Sequence, residues 1–260
     1  ADRGGRVLCG GVYHRDDRAV IPAREGENNV YKLIVFDLDG TLAALGKGIL
    51  PEDLALLRRL EETGARIAIC SGKPTYYLCG MMRQVGLRAP VLVGENGAVI
   101  QLGVDLPPKD YFVAPCSDAA KRSIRLLRDA LEQDVPGMWY QPNEVGLTPF
   151  PRNEAEFAAV QRVIDALAPQ LQDVVIYRHC DSFDITPEGV TKKSGLARLG
   201  ALLGIAAEET VAVGDGVNDY PMFEYAGLSV GVNVHDESKV NVNVASAGEA
   251  LSFLLKNLEK

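Results

Sequence analysis

Paired cysteine and clustered histidine are both missing from this chain. Its five cysteines are odd in number and scattered without any CxxC, and its three histidines share no metal-ligand spacing. Those absences exclude a disulfide framework and a zinc site, and they fit reduced thiols in a cytoplasm. No apolar run approaches the roughly 20 residues that a membrane helix needs, so no spanning segment is expected. The first residues show no basic stretch followed by an apolar one, so no secretory signal is expected either. Positive charge is in deficit: 27 Lys and Arg against 35 Asp and Glu give a formal net charge of -8. A balance of that sign excludes a general binder of nucleic acid or of anionic membrane, while a local basic pocket stays compatible with it. Internal repeats and low-complexity tracts are absent too. What is there is ordinary for a globular protein, with 47% hydrophobic and 24% charged residues in 260. That length accommodates one large domain or a core with a smaller insert, as a monomer or a dimer.

Residues 1 to 30 are rich in Gly, Arg, Asp and Glu and read as a mobile extension. From Leu33 the pattern sharpens. "LIVF" is a continuous apolar, β-branched run, as expected of a strand buried on both faces. "PEDLALLRRLEETG" opens with proline and acids, spaces its leucines along one face and stops at Gly64, the pattern of an amphipathic helix. "ARIAIC" predicts a second buried strand, "TYYLCGMMRQVG" a helix with an awkward internal Gly80, and "APVLVGENGAVIQ" a strand entering an Asn-Gly hairpin. Strands alternating with helices argue for a parallel α/β sheet. Between residues 105 and 183 the rhythm changes to helices alternating with strand pairs, as in a small α+β insert. The α/β rhythm then returns through "KKSGLARLGALLG", "TVAVGD", "LSVGV" and "AGEALSFLLKNLEK". The expected architecture is a Rossmann-like, doubly wound core over 31–104 and 184–260, with an α+β cap over 105–183.

Three of the buried strands run out into similar chemistry. "LIVF" ends at Asp37, "ARIAIC" at Ser71 and "TVAV" at Gly214-Asp215. In an open parallel sheet, residues just beyond the carboxyl ends of neighbouring strands converge on one crevice. Asp37 and Asp39, two apart, point the same way, and bare carboxylates so close repel one another. A hard divalent cation relieves that repulsion, and Mg2+ favours one or two carboxylates together with substrate phosphate and water. In phosphoryl-transfer terms, Asp37 suits a nucleophile and Asp39 the acid/base. Ser71, with the backbone of "SGK", suits a cradle for phosphoryl oxygens. Lys192 or Lys193 from "VTKKSGLARL" suits the balancing cation. "GDGVNDYPM" supplies Asp215 for the metal, with Asn218 and Asp219 behind it.

Taken in order, "DLDGT", "SGK", the lysine after "EGVT" and "GDGVND" resemble the four motifs of the haloacid dehalogenase superfamily. The long insert and the "GENGA" turn before it resemble its type-C2 cap branch, which includes Cof-type, sucrose-phosphate-phosphatase-like and phosphoglycolate-phosphatase-like enzymes. The resemblance implies that Asp37 is the nucleophile, Asp39 the acid/base, Ser71 the phosphate donor and Lys192 the active-site lysine. It further implies Mg2+ held by Asp37, Asp215 and the backbone carbonyl of Asp39, with Thr41, Gly72, Asn218 and Asp219 in support. Asn96 of "GENGA" and Arg178 and His179 of the insert are candidates for touching the substrate. The implied activity is a Mg2+-dependent phosphatase acting on a small phosphorylated metabolite, a sugar phosphate or a phosphoglycolate-like compound. Its rivals are a phosphomutase, which shares the motifs and a similar cap, and a non-catalytic phospholigand-binding protein. The pseudoenzyme reading is disfavoured because every charged role is filled. Cys70 and Cys79 are expected to be packing thiols.

Overall fold

The computed structural model describes residues 31–258, so the expected N-terminal extension lies outside the described residues. Its centre is strand β1, Leu33–Phe36, in which all four side chains are buried. An apolar run without alternation has no solvent face, and β1 is accordingly flanked on both sides. Strands β2 (Arg66–Cys70) and β10 (Thr210–Gly214) pair with it in parallel, with Phe36 opposite Ile69 on one side and Val213 on the other. Further parallel strands are β3 (Val91–Gly94), β11 (Leu228–Val232) and β12 (Val242–Val244). Two antiparallel strands, β4 (Val99–Leu102) and β5 (Asp110–Val113), close one edge of an eight-stranded sheet ordered β12-β11-β10-β1-β2-β3-β4-β5.

Helices cover both faces. Helices α1 (Pro51–Glu62), α2 (Thr75–Val85) and α7 (Ala247–Leu258) pack one face through Leu57, Leu60, Leu78, Met82, Leu251 and Leu254. Helix α5 (Lys192–Leu203) and the short α6 (Tyr220–Phe223) cover the other through Leu196, Leu199, Met222 and Phe223. Gly80 causes no break in α2, because it faces open space on the exposed side of the helix. The thiols of Cys70 and Cys79 are buried in these layers, as expected.

A second, smaller set of elements lies mostly within the span of the expected insert. Strands β6 (Trp139–Gln141) and β7 (Thr148–Phe150) form one antiparallel ladder, and β8 (Val174–Arg178) and β9 (Phe183–Pro187) another. A bridge between Leu147 and Ile185 joins them. Helices α3 (Asp118–Asp134) and α4 (Glu154–Leu167) pack one face of this unit through Leu127, Leu131, Val160, Ile164, Phe183 and Ile185. Ser117 and Asn153 cap the two helices through their side chains.

Strand β5 joins the large sheet, and β9 pairs within the small one. The tight Asn-Gly hairpin is longer than expected. Gly94 pairs with Val99, so the turn holds four residues, and Glu95, Asn96 and Gly97 all have left-handed φ of 52°, 54° and 102°. Three such residues in succession swing the side chains of Glu95 and Asn96 away from the large sheet, toward Glu144 and Asp184.

Candidate active site

The register places the carboxyl ends of β10, β1 and β2 side by side, so the residues that follow them meet. Asp37, the first residue after β1, is buried, and its Oδ1 accepts a 2.6 Å bond from Lys192 Nζ. Lys192 is the first residue of α5, and a capping box between Thr191 and Ser194 fixes that helix start. The same Nζ donates at 2.5 Å to Asp219 Oδ1, while Asp219 Oδ2 accepts from the backbone N–H groups of Asp215 and Gly216. Lys193 turns outward to pair with the exposed Glu224, so Lys192 is the lysine that enters the site. Asp215 faces Asp37 from the end of β10, held by a 2.9 Å bond that Thr41 Oγ1 donates to its Oδ1. Gly40 makes room for it: with φ +92°, a Cβ there would lie 2.3 Å from Asp215 Oδ2.

Three carboxylates, those of Asp37, Asp215 and Asp219, offer oxygens all within 4.8 Å of one another. One ammonium answers them. Burial pushes Asp37 up to about 7; Lys192 pulls against that shift, and Asp219 and Asp215 add to it. Asp215 is likewise raised, first by burial, against the hydrogen bond from Thr41. For Lys192, burial favours the neutral amine, but Asp37 and Asp219 outweigh it and hold the proton on. The donor set therefore carries uncompensated negative charge in a buried place, which fits a hard divalent cation. The side chain of Asp39 stands apart from this cluster and pairs with Lys73 at 2.9 Å.

Ser71 follows β2, buried, with its Oγ accepting from the backbone N–H of Lys73. Its loop is braced from the turn after β3. The N–H of Asn96 donates to Ser71 O and that of Glu95 to Lys73 O, both at 3.0 Å. The side chains of the same turn reach the loop before β7 and strand β9. Glu95 Oε1 accepts from the N–H of Glu144 at 2.7 Å, and Oε2 from those of Val145 at 2.9 Å and Gly146 at 3.4 Å. Burial raises this carboxyl despite those three donors. Asn96 Nδ2 donates to Asp184 Oδ2 at 2.9 Å, and Gln141 Nε2 donates to Gly72 O at 2.9 Å. Five hydrogen bonds thus tie the Ser71 loop and the turn that braces it to the loop before β7 and to strands β6 and β9.

Of the residues nominated from sequence, Asp37, Lys192, Asp215, Asp219 and Thr41 meet in one cluster, with Ser71 and Gly72 on the adjoining loop. Asn218 is exposed with its side chain over Gly216, and the bonds of Lys192 run to Asp37 and Asp219 instead. His179 lies 3.2 Å from Asp184, which raises its pKa and places it on the side of the cap that meets Asn96. Arg178 points the other way: its guanidinium stacks on Phe157 of α4 and donates to Gln161. Neighbours along a strand face opposite sides, so at most one of this pair could face the crevice. Sequence reasoning passed over Lys73, Glu95, Gln141 and Asp184. Lys73 was in plain view as the third letter of "SGK"; the others carry no local signal.

The chain belongs to the haloacid dehalogenase-like hydrolases, whose family model matches residues 34–150 and 150–243. It is therefore an enzyme, of the hydrolase class. A phosphoglycolate phosphatase of Methanococcoides burtonii is 26% identical over 239 residues, 88% of this chain and 98% of the relative. A 5-amino-6-(5-phospho-D-ribitylamino)uracil phosphatase of Escherichia coli is 26% identical over 227 residues, covering 76% of this chain and 83% of the relative. In fold, a haloacid dehalogenase-like hydrolase from Bacteroides thetaiotaomicron superposes with a TM-score of 0.73 at 21% identity, over 86% of this chain and 99% of that one. No helix among the described residues is long and apolar enough to cross a membrane.

Proposed function

We propose that this protein is a Mg2+-dependent phosphatase that hydrolyses a small phosphorylated metabolite through an aspartyl-phosphate on Asp37. The observation that carries the reading is the buried cluster in which Lys192 holds Asp37 beside Asp215, with Ser71 on the neighbouring strand end. The names of its relatives support a phosphomonoester as the substrate class.

In the first step an oxygen of Asp37 attacks phosphorus, the bond to the ester oxygen breaks, and Asp39 gives that oxygen its proton. Asp39, now a carboxylate, takes a proton from water in the second step. The water oxygen attacks phosphorus and frees inorganic phosphate, restoring Asp37. Lys73 orients the Asp39 side chain for both transfers. Ser71 and the backbone of its loop hold phosphoryl oxygens, while Lys192 balances charge through both steps. Asp37, Asp215 and the backbone carbonyl of Asp39 would hold Mg2+, which when bound draws the phosphoryl oxygens and the nucleophile together by shielding their charge. The unit of α3, α4 and β6–β9 acts as the cap, and on the four free thiols among the described residues we place the enzyme in the cytoplasm.

The test is phosphate release by the purified protein from a panel of phosphomonoesters in Mg2+, with no bisphosphate added. Wild type should release stoichiometric phosphate and Asp37→Asn should lose several orders of magnitude of turnover while keeping its fold, checked by circular dichroism, since an amide is not a competent nucleophile at phosphorus. Dependence on a bisphosphate activator would favour a mutase. More than a few per cent residual activity in the Asn variant would sink the covalent route.

A further inference from the structure

The chain has a single tryptophan, and it is not in a core: Trp139 is 57% exposed on β6 of the cap. It stands directly opposite Phe150 in the β6–β7 ladder, their ring centroids 5.0 Å apart and their planes 58° to one another. Two rings at that angle make an open corner. The face they occupy is fixed by their neighbours. Tyr140, between Trp139 and Gln141, turns to the helix side, where Arg128 of α3 covers its ring. Trp139 and Gln141 therefore share the opposite face, and Gln141 on that face bonds Gly72 of the Ser71 loop. Thr148, the ladder partner of Gln141, donates to Asp184, which is bonded in turn to Asn96. Moving outward from the phosphoryl loop, the cap thus presents a polar row first. The aromatic corner follows two residues further along the strands, about 7 Å on.

We propose that Trp139 and Phe150 are specificity-determining residues that stack a flat ring of the leaving group, carried on a short hydroxylated spacer that passes beside the polar row of Gln141, Thr148 and Asp184. The proposal rests on the phosphatase reading for the placement of the phosphoryl group beside Ser71. A two-carbon leaving group such as glycolate ends within the polar row and leaves the corner empty. A pentose spacer covers the intervening distance, and a heteroaromatic ring at its end meets one π-face and one ring edge at once, an arrangement aromatic groups favour. A protein partner suits the corner poorly. Two rings offer far less than the roughly 800 Å² per partner that a stable interface needs.

Three probes differ in only these features: adenosine monophosphate, ribose phosphate lacking the base, and phosphoglycolate. In wild type, kcat/KM for adenosine monophosphate should exceed that for ribose phosphate by about tenfold to a hundredfold, the usual worth of stacking one base on an aromatic side chain. Trp139→Ala should collapse that ratio toward unity, and Phe150→Ala should do the same should the first variant fail to fold. Equal kcat/KM for the two probes in wild type, or a ratio that Trp139→Ala leaves intact, overturns the proposal and makes the corner a docking surface instead. A second readout does not depend on turnover. As the only tryptophan, Trp139 reports its own occupancy, and its emission in the Asp37→Asn protein should be quenched saturably by adenosine monophosphate but not by ribose phosphate. Saturable quenching with no phosphate released from any probe would leave the stacking site standing and remove the phosphatase reading. Phosphate release without quenching or preference would do the reverse.

Discussion

Lys192 and Lys193 are adjacent, chemically identical, and in opposite situations. Lys192 is enclosed with two carboxylates at 2.6 and 2.5 Å, whereas the Lys193–Glu224 pair is largely solvated. Removing the cation from a buried pair leaves uncompensated charge, typically at a cost of about 3–5 kcal/mol, while an exposed pair contributes about 0–1 kcal/mol. Lys192→Met should therefore lower the denaturation midpoint strongly and Lys193→Met hardly at all; similar losses in chemical denaturation would contradict the geometry. Asp39 invites a kinetic comparison. If it moves the proton, Asp39→Asn should slow an alkyl phosphate, whose leaving group needs protonation, far more than an activated aryl phosphate. Uniform losses across a leaving-group series would leave Asp39 only a positional role. Asp37, Ser71 and Asp215 were legible as candidates in the sequence because each follows an apolar run with the pattern of a buried strand, and the lysine pair because it opens a helix after "EGVT". The choice between the two lysines was not, since it depends on the rotation of α5, which Thr191 and Ser194 set through the cap.

At the scale of elements, the turn 95–97 connects what the sequence kept apart. Its partners lie 49 to 51 residues away at the cap loop and 88 away at Asp184, so no periodicity or spacing could announce them. "GENG" predicted a turn, but not that three left-handed residues would aim it at the loop 144–146 and at Asp184. Strand β5 escaped for a different reason: all four of its residues are exposed, so it lacks the buried pattern by which strands are read. Gly97 shows how tightly the turn is seated, since a Cβ there would come within 2.3 Å of Thr191 O at the entrance to α5. Glu95→Ala should leave the half-buried amides of Val145 and Gly146 and the exposed amide of Glu144 to water, at a cost of about 1 kcal/mol. Hydrogen exchange should accelerate at those amides first, ahead of the α3 and α4 amides. If exchange at 144–146 stays at the wild-type rate, Glu95 is not what holds the cap loop to the core.

On the scale of the whole molecule, the three-carboxylate cluster works against the fold unless a cation binds it. Asp37, Asp215 and Asp219 crowd within 4.8 Å with a single lysine among them, and both Asp37 and Asp215 are pushed toward the neutral form. Asp37 and Asp215 are far apart in sequence, so unfolding scatters them and abolishes the site. A divalent cation that binds only the folded chain must then stabilise it by mass action, by about 2.7 kcal/mol at a hundredfold excess over its dissociation constant. For a folded unit of this size that corresponds to a rise of about 5–10 °C in the thermal midpoint. Mg2+ should raise the midpoint in a concentration-dependent way and excess chelator should lower it again, while Asp215→Ala should show a much flatter response. The same variant also removes a source of repulsion, so in chelator it should melt no lower than wild type by more than the loss of its bond to Thr41 allows. Scanning calorimetry of the two proteins with and without Mg2+ separates these effects, because repulsion and metal binding move the Asp215→Ala curve in opposite directions. A midpoint in wild type that ignores Mg2+ altogether would mean that this carboxylate cluster is not a metal site.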